Sequence, residues 1–246
     1  MNNLNGIIMQ QTIRIFFLFF SLFSLSSYAF DLRPAEIPLQ FGGFWSHAGE
    51  AQHINIDGLI GDQYTITNHD SSNVLFGAGY YLNGFEWKRA DLLYGLNFYY
   101  LGKISAQGEI VQENLFTNLL YSYSIQNIPL YAAAKAKIKT NDEKLSVIVD
   151  VGIGPNFMQT RQYNEMVLDP MVIPDLLFQG QNRTTFSATA GIGLRLNQFL
   201  GQTPIECGYR FFYLGSGQLN PKNEQVLNNL VTGNVYANAI VCSLTI

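Results

Sequence analysis

From residue 36 onward the chain alternates with a period of two, and this pattern limits its fold more than any other feature. Leu145, Val147, Val149, Val151 and Ile153 are apolar, and between them stand Ser146, Ile148, Asp150, Gly152 and Gly154. Phe186, Ala188, Ala190, Ile192, Leu194 and Leu196 repeat the arrangement against Thr185, Ser187, Thr189, Gly191, Gly193 and Arg195. Comparable rows begin at Val74, Leu92, Ile205 and Tyr236. Side chains of a strand point alternately to opposite faces, so such rows mark strands whose two faces meet unlike surroundings. Eight strands are predicted, at 37–48, 72–84, 89–103, 110–139, 144–160, 182–197, 204–217 and 232–246. The apolar parity of the long fourth strand slips near Asn127–Pro129, which reads as a bulge at a proline. Long connections (49–71, 161–181, 218–231) alternate with short ones (84–88, 140–143, 198–203), and the brief link 104–109 falls on the long side.

The uniformly apolar face is the one to place outward. The opposite face mixes glycines (Gly77, Gly79, Gly95, Gly152, Gly154, Gly191, Gly193, Gly208) with Tyr81, Tyr99, Phe212 and charges. Small residues beside large ones suit the narrow interior of an eight-stranded barrel. The apolar face then meets lipid, with its tyrosines and Trp45 at the bilayer surfaces.

Upstream, Ile15–Leu25 reads IFFLFFSLFSL after Arg14, and Ser27 and Ala29 supply small residues at a cleavage point. This is a secretory pattern, so 1–29 is read as a signal peptide and 30–246 as the mature domain. Eleven apolar residues make about 16 Å of helix, too short for a hydrocarbon core of about 30 Å. Residues 114–134 carry no charge but hold Asn114, Asn118, Asn127 and Pro129, a polar load that a lipid-embedded helix does not tolerate. Only 13% of residues are charged and the formal net charge is −4, which excludes a nucleic-acid binder. Two cysteines cannot build a disulfide scaffold or a four-thiolate zinc site. Cys207 and Cys242 fall outward on the last two strands, as a disulfide or as two small residues in lipid; a Cα separation above about 7 Å excludes the bond.

On Phe41–Trp45 (FGGFW), Leu75–Leu82 (LFGAGYYL), Val151–Phe157 (VGIGPNF), Ala190–Leu196 (AGIGLRL) and Gly208–Gly215 (GYRFFYLG), the chain resembles the small outer-membrane β-barrel family that includes outer-membrane protein A and the opacity surface proteins. The likeness covers most of 36–246. It implies an all-β, eight-stranded antiparallel up-and-down transmembrane barrel in the bacterial outer membrane, with surface-exposed loops and both ends in the periplasm. It implies no single activity, since members serve as adhesins, envelope anchors or narrow channels. Members usually end in an aromatic residue, whereas this sequence ends in Ile246. No peptidoglycan-binding tail is expected after the last strand.

Candidate functional residues are few. Asp91, Lys135, Lys137, Asp150, Arg195, Glu206 and Arg210 are predicted to point into the lumen, where they must pair or be hydrated. A structural charge network is the expectation, and a gated ion path is the alternative. Met166–Phe178 (MVLDPMVIPDLLF) is the most apolar stretch between strands, and its Met166, Met171, Val172, Ile173, Leu176 and Phe178 form a candidate surface-contact loop. His47 beside Ser46 is the nearest approach to a hydrolase pair, and His53, Asp57, Asp62, His69 and Asp70 the nearest to a metal site, but neither matches a ligand or triad pattern. Gly43-Phe44-Trp45 matches the G-x-W of lipocalins, which are soluble barrels with the opposite facing. The expected function is therefore a non-enzymatic, cofactor-free barrel with a structural or adhesin-like role. Its partners would be membrane lipids and an extracellular protein or host ligand met through the loops. A narrow channel and a periplasmic lipocalin-like binder are the alternatives.

Overall fold

The computed structural model describes residues 36–246 apart from 169, 201 and 202, so the expected signal peptide lies outside the described residues. Eleven strands follow in order: β1 (Pro38–His47), β2 (Gln52–Ile54), β3 (Asp62–Tyr64), β4 (Asp70–Glu86), β5 (Ala90–Gln112), β6 (Phe116–Lys139), β7 (Leu145–Val167), β8 (Phe178–Gln179), β9 (Asn182–Leu200), β10 (Thr203–Pro221) and β11 (Leu230–Thr245). Eight of them close a ring in chain order, β1-β4-β5-β6-β7-β9-β10-β11, and β11 pairs back to β1 from Pro38↔Thr245 to His47↔Tyr236. Every pairing in the ring is antiparallel. The chain is an eight-stranded antiparallel up-and-down transmembrane β-barrel. Closure leaves no free strand edge in the ring, the condition for crossing lipid with strands.

Burial follows the alternation. On β7, Val149, Val151 and Ile153 are exposed on the outer face while Ile148 and Asp150 are buried. Phe76, Leu96, Phe98, Ile192, Leu194 and Ile240 continue this apolar belt around the ring. Glycines let the wall coil tightly. A Cβ on inward Gly95 would lie 1.9 Å from the Tyr80 carbonyl oxygen, and one on Gly208 would lie 2.3 Å from that of Ile192.

Two predicted boundaries are corrected. The expected link at 104–109 is strand: β5 runs on to Gln112, and the chain reverses at 113–115. There the Leu115 amide donates to the Gln112 carbonyl at 2.9 Å, and Glu113 and Asn114 both have positive φ. Left-handed residues at a hairpin tip match the twist of the flanking strands. Without a glycine or proline, this turn gave no sequence signal. The expected bulge in β6 at Asn127–Pro129 is also absent. The pairing skips from Leu101↔Asn127 to Ile104↔Ile125, so the extra residue sits on β5, at Gly102–Lys103. From Leu119 onward β6 keeps one parity, with Leu119, Tyr121, Tyr123, Ile125, Asn127, Tyr131 and Lys135 all inward and buried.

The apolar parity slips in the sequence because the surroundings change along β6. Its outward residues are Ile128, Leu130, Ala132, Ala134, Ala136 and Ile138 below this level, and Leu120, Ser122, Ser124 and Gln126 above it. The inward residues change the other way, from Tyr131, Lys135 and Lys137 to Leu119, Tyr121, Tyr123 and Ile125. Above the belt, then, the barrel is ordered like a soluble protein. β5 continues for nine residues past its bulge (104–112), roughly 30 Å of strand at about 3.3 Å per residue. β3 pairs with β5, and β2 with β3. Residues 225–231 close over β2 through Gln52, Asn55, Ile56 and Asp57. The result is a cap whose apolar core, with Ile54, Tyr64, Ile110, Leu119, Tyr121, Phe178, Val226 and Leu230, continues into the aromatic interior of the belt at Tyr99, Tyr131 and Phe212.

Candidate functional site

The interior of the barrel has three levels. At the short-turn end, Glu206 accepts from Lys135 Nζ at 2.8 Å and from Arg195 at 2.7 Å. Glu36 accepts from the same guanidinium at 3.0 Å and from Lys137 Nζ at 2.9 Å. Three bases and two acids thus form one chain of contacts across β6, β9, β10 and Glu36, two residues before β1. Sequence reading missed Glu36 because it precedes the first strand; its proximity to Ile37–Leu39 was the only signal. Asp91 pairs instead with Lys139 at 2.7 Å at the barrel end, where the lysine is half exposed. Asp150 and Arg210 form a separate pair at 2.7 Å.

The middle level is aromatic and amide-lined. Arg210 lies 5.3 Å from the Tyr99 ring centre and Lys135 lies 4.8 Å from that of Tyr81, within cation–π range. Asn97 donates to the hydroxyls of Tyr81 and Tyr99 at 3.1 and 3.0 Å. Asn156 donates to Asn127 Oδ1 at 2.9 Å and to the Leu214 carbonyl at 2.8 Å. Tyr131 and Ser187 hydroxyls meet at 2.6 Å. Beside the charges, bordered by Gln40, Lys135, Asp150, Glu206 and Arg210, is a void of about 40 Å³. That volume holds a few waters at about 10–15 Å³ each, not a column.

The third level is the cap core. There Tyr64, Tyr163 and Phe178 pack ring against ring, with centroids 5.4 Å apart for Tyr163–Phe178 and 5.8 Å for Tyr64–Phe178. The candidate contact loop divides at this core. Phe178 is 1% exposed and sits among these rings, so it is not a surface-contact residue. Val172 and Leu177 pack against the same cluster, and Leu176 is half-buried. Met171 and Ile173 remain 88% and 82% exposed, and Met166, still on β7, is exposed as well. Glu165 holds the loop in place, since its carboxylate accepts from the Leu176 amide at 2.9 Å, the Leu177 amide at 3.3 Å and the Tyr163 hydroxyl. A bulge with Gln162 at positive φ shifts the β7 parity and turns Glu165 inward. Nothing in the alternation marked that shift.

The remaining candidates separate. Ser46 is inward and buried, donating to the Ser71 carbonyl at 3.0 Å, while His47 points outward and stacks on His69 at 4.6 Å with Asp70 3.2 Å away. The two side chains lie on opposite faces and make no hydrolytic pair. Among the described residues no three His, Cys, Asp or Glu converge as a metal site. Cys207 and Cys242 are register partners with Cα atoms 4.1 Å apart and are joined as a disulfide on the outer face. With the charges inside and the apolar belt outside, the lipocalin-like arrangement is not the one adopted.

No family model matches the sequence, and no curated protein matches it. Among solved structures, the chain is similar to Neisserial surface protein A at 7% identity, TM-score 0.41, covering 87% of this chain and 99% of that one. It is similar to the outer membrane protein OprG from Pseudomonas aeruginosa at 8% identity, TM-score 0.48, covering 86% and 96%. It is also similar to the outer membrane protease OmpT from Escherichia coli at 7% identity, TM-score 0.49, covering 90% and 99%.

Proposed function

We propose that the protein is an exported, non-enzymatic outer-membrane barrel that holds a folded cap outside the cell for contact with a partner, and that its lumen does not conduct. The observation that carries this reading is that buried side chains block the path through the barrel at each level. Lys135, Glu206 and Arg195 are paired and buried at one end, Tyr81, Tyr99, Tyr131 and Phe212 are fully buried in the middle, and Tyr64, Tyr121 and Phe178 are buried at the other end. A buried charge stripped of its partner is costly, so opening such a path means breaking several pairs together. The belt and the closed ring support a membrane location, and the signal-like 1–29 supports export. The cap supports the contact role: its strands stand above the belt with polar outer faces, and Met171, Ile173, Leu59, Ile60 and Leu227 are exposed upon it.

The test is conductance of the purified, folded protein in a planar bilayer. The reading expects no current above leak between pH 5 and 8. A steady, ion-selective conductance that scales with inserted protein would overturn it in favour of a narrow channel.

A further inference from the structure

The cap contains a cavity of about 510 Å³, within the range of small-molecule sites. Its lining is chemically one-sided. Asp62, Glu113, Glu165 and Asp175 contribute four carboxylates, and among the described residues no Lys, Arg or His lines it. Asp62 and Glu165 are only 6% and 5% exposed. Their hydrogen-bond partners are neutral: Asp62 accepts from the Glu113 amide at 3.2 Å, and Glu165 from the Leu176 and Leu177 amides and the Tyr163 hydroxyl. Glu113 in turn accepts from the Ile60 amide at 3.1 Å. These donors orient the carboxylates and carry no charge of their own. Burial, with Glu113 and Glu165 close by, holds the Asp62 carboxyl above the usual aspartate range. Every other strongly buried carboxylate of the interior, Glu206 and Asp150, has a basic partner within 3 Å.

The other walls are apolar and aromatic. Tyr64, Ile110, Leu119 and Val226 are buried beneath the cavity, while Leu59 and Phe116, each 60% exposed, stand at its lip. Buried anions call for a cation, and the aromatic and apolar walls beside them suit an organic one. Aromatic faces attract ammonium groups, and apolar walls take up a hydrocarbon body.

We propose that this cavity binds a small amphiphilic organic cation, its ammonium group against Asp62 and Glu165 and its apolar or aromatic body between Tyr64, Leu119, Val226 and Phe116. The inference rests on the cap being the outward-facing part of the protein, and it names the chemistry that the cap recognises. Lumen conductance and cavity binding are read on different parts of the molecule, so either can fail alone.

The experiment is titration of phenethylammonium into the full chain in lipid nanodiscs, followed by calorimetry or ligand-observed NMR, with 2-phenylethanol and 3-phenylpropionate as neutral and anionic counterparts. Saturable binding of one equivalent is expected for the ammonium, at least tenfold weaker for the alcohol and undetectable for the carboxylate. Asp62→Asn keeps the acceptor for the Glu113 amide and should weaken ammonium binding at least tenfold. Asp175→Asn, at an exposed position, should weaken it about threefold and serves if the first variant does not fold, as judged by heat-modifiable migration. Absence of saturable binding overturns the proposal. So does equal affinity for ammonium and alcohol, or unchanged affinity in a folded Asp62→Asn protein.

Discussion

The belt and the cap are built from the same strands and have opposite interiors. In the belt, β6 shows Ala132, Ala134 and Ala136 to lipid and Lys135 and Lys137 to the lumen; in the cap it shows Ser122 and Ser124 to water and Tyr121, Tyr123 and Ile125 to the core. A strand obeys whichever solvent lies outside it. In lipid the outer face must be apolar and the narrow interior can be polar if it is paired. In water the hydrophobic effect drives the apolar residues inward instead. The exchange takes place near Asn127, a buried amide linked to Asn156 at 2.9 Å, where the aromatic and amide level of the lumen meets the core of the cap.

Four substitutions test that contrast, from the largest expected effect to the smallest. Glu206→Gln removes the shared carboxylate of Lys135 and Arg195, whose side chains are 3% and 9% exposed. Breaking a buried pair on one side costs about 3–5 kcal/mol. Urea unfolding of the barrel should show the loss, whereas a cap-only probe should not. Tyr121→Ala empties the cap core and removes a 2.9 Å hydrogen bond to the Thr65 carbonyl. It should cost about 3 kcal/mol locally. Limited proteolysis should then cut the connections 48–69 and 168–177 while the belt stays folded. Val151→Arg places a charge on the lipid face and should cost about 2–3 kcal/mol, read as reduced folding efficiency in vesicles. Ser122→Arg, outward on the cap, should stay within about 0.5 kcal/mol of the parent in the same assay, because that face meets water.

A smaller effect concerns pH. The folded-state pKa of Asp62 is raised, chiefly by burial. Protonation therefore favours the folded cap, so cap stability should rise as pH falls from above the folded pKa toward the unfolded value of about 4. Glu113, Glu165 and His53 face the same carboxyl. Asp62→Asn should flatten this rise in amide exchange of the cap. A cap that loosens steadily below pH 6 in the parent, with no gain anywhere, would contradict this sign.

Much of the belt was legible in sequence, because lipid enforces the period of two over most of each crossing. The apolar row Val147–Val149–Val151–Ile153 and the inward charges fall where alternation puts them. What alternation hid lies in the cap and at its junction. Bulges at Gly102–Lys103, at Gln162 and around Gly215, among others, change parity without changing composition. The turn at Glu113–Asn114 lacks the usual glycine. A row such as Leu119–Tyr121–Tyr123–Ile125 is equally apolar whether it faces lipid or a protein core, so its surroundings had to come from the fold. Of the candidate contact loop, the sequence marked the apolar residues but not which of them Glu165 pulls inward. The acidic cavity was invisible, because Asp62, Glu113, Glu165 and Asp175 come from four separate segments.

The inversion along β6 is tested most directly by accessibility of spin labels at its outward positions. With Cys207 and Cys242 replaced by Ala, single cysteines at 120, 122, 124, 128, 130, 132, 134 and 136 are labelled in turn, and their collisions with lipid-soluble oxygen and a water-soluble nickel chelate are compared. The account predicts oxygen-dominated relaxation from 136 to 128 and nickel-dominated relaxation from 124 to 120, with one crossover at Gln126. Oxygen dominance continuing through 122, or nickel dominance at 132, would contradict it.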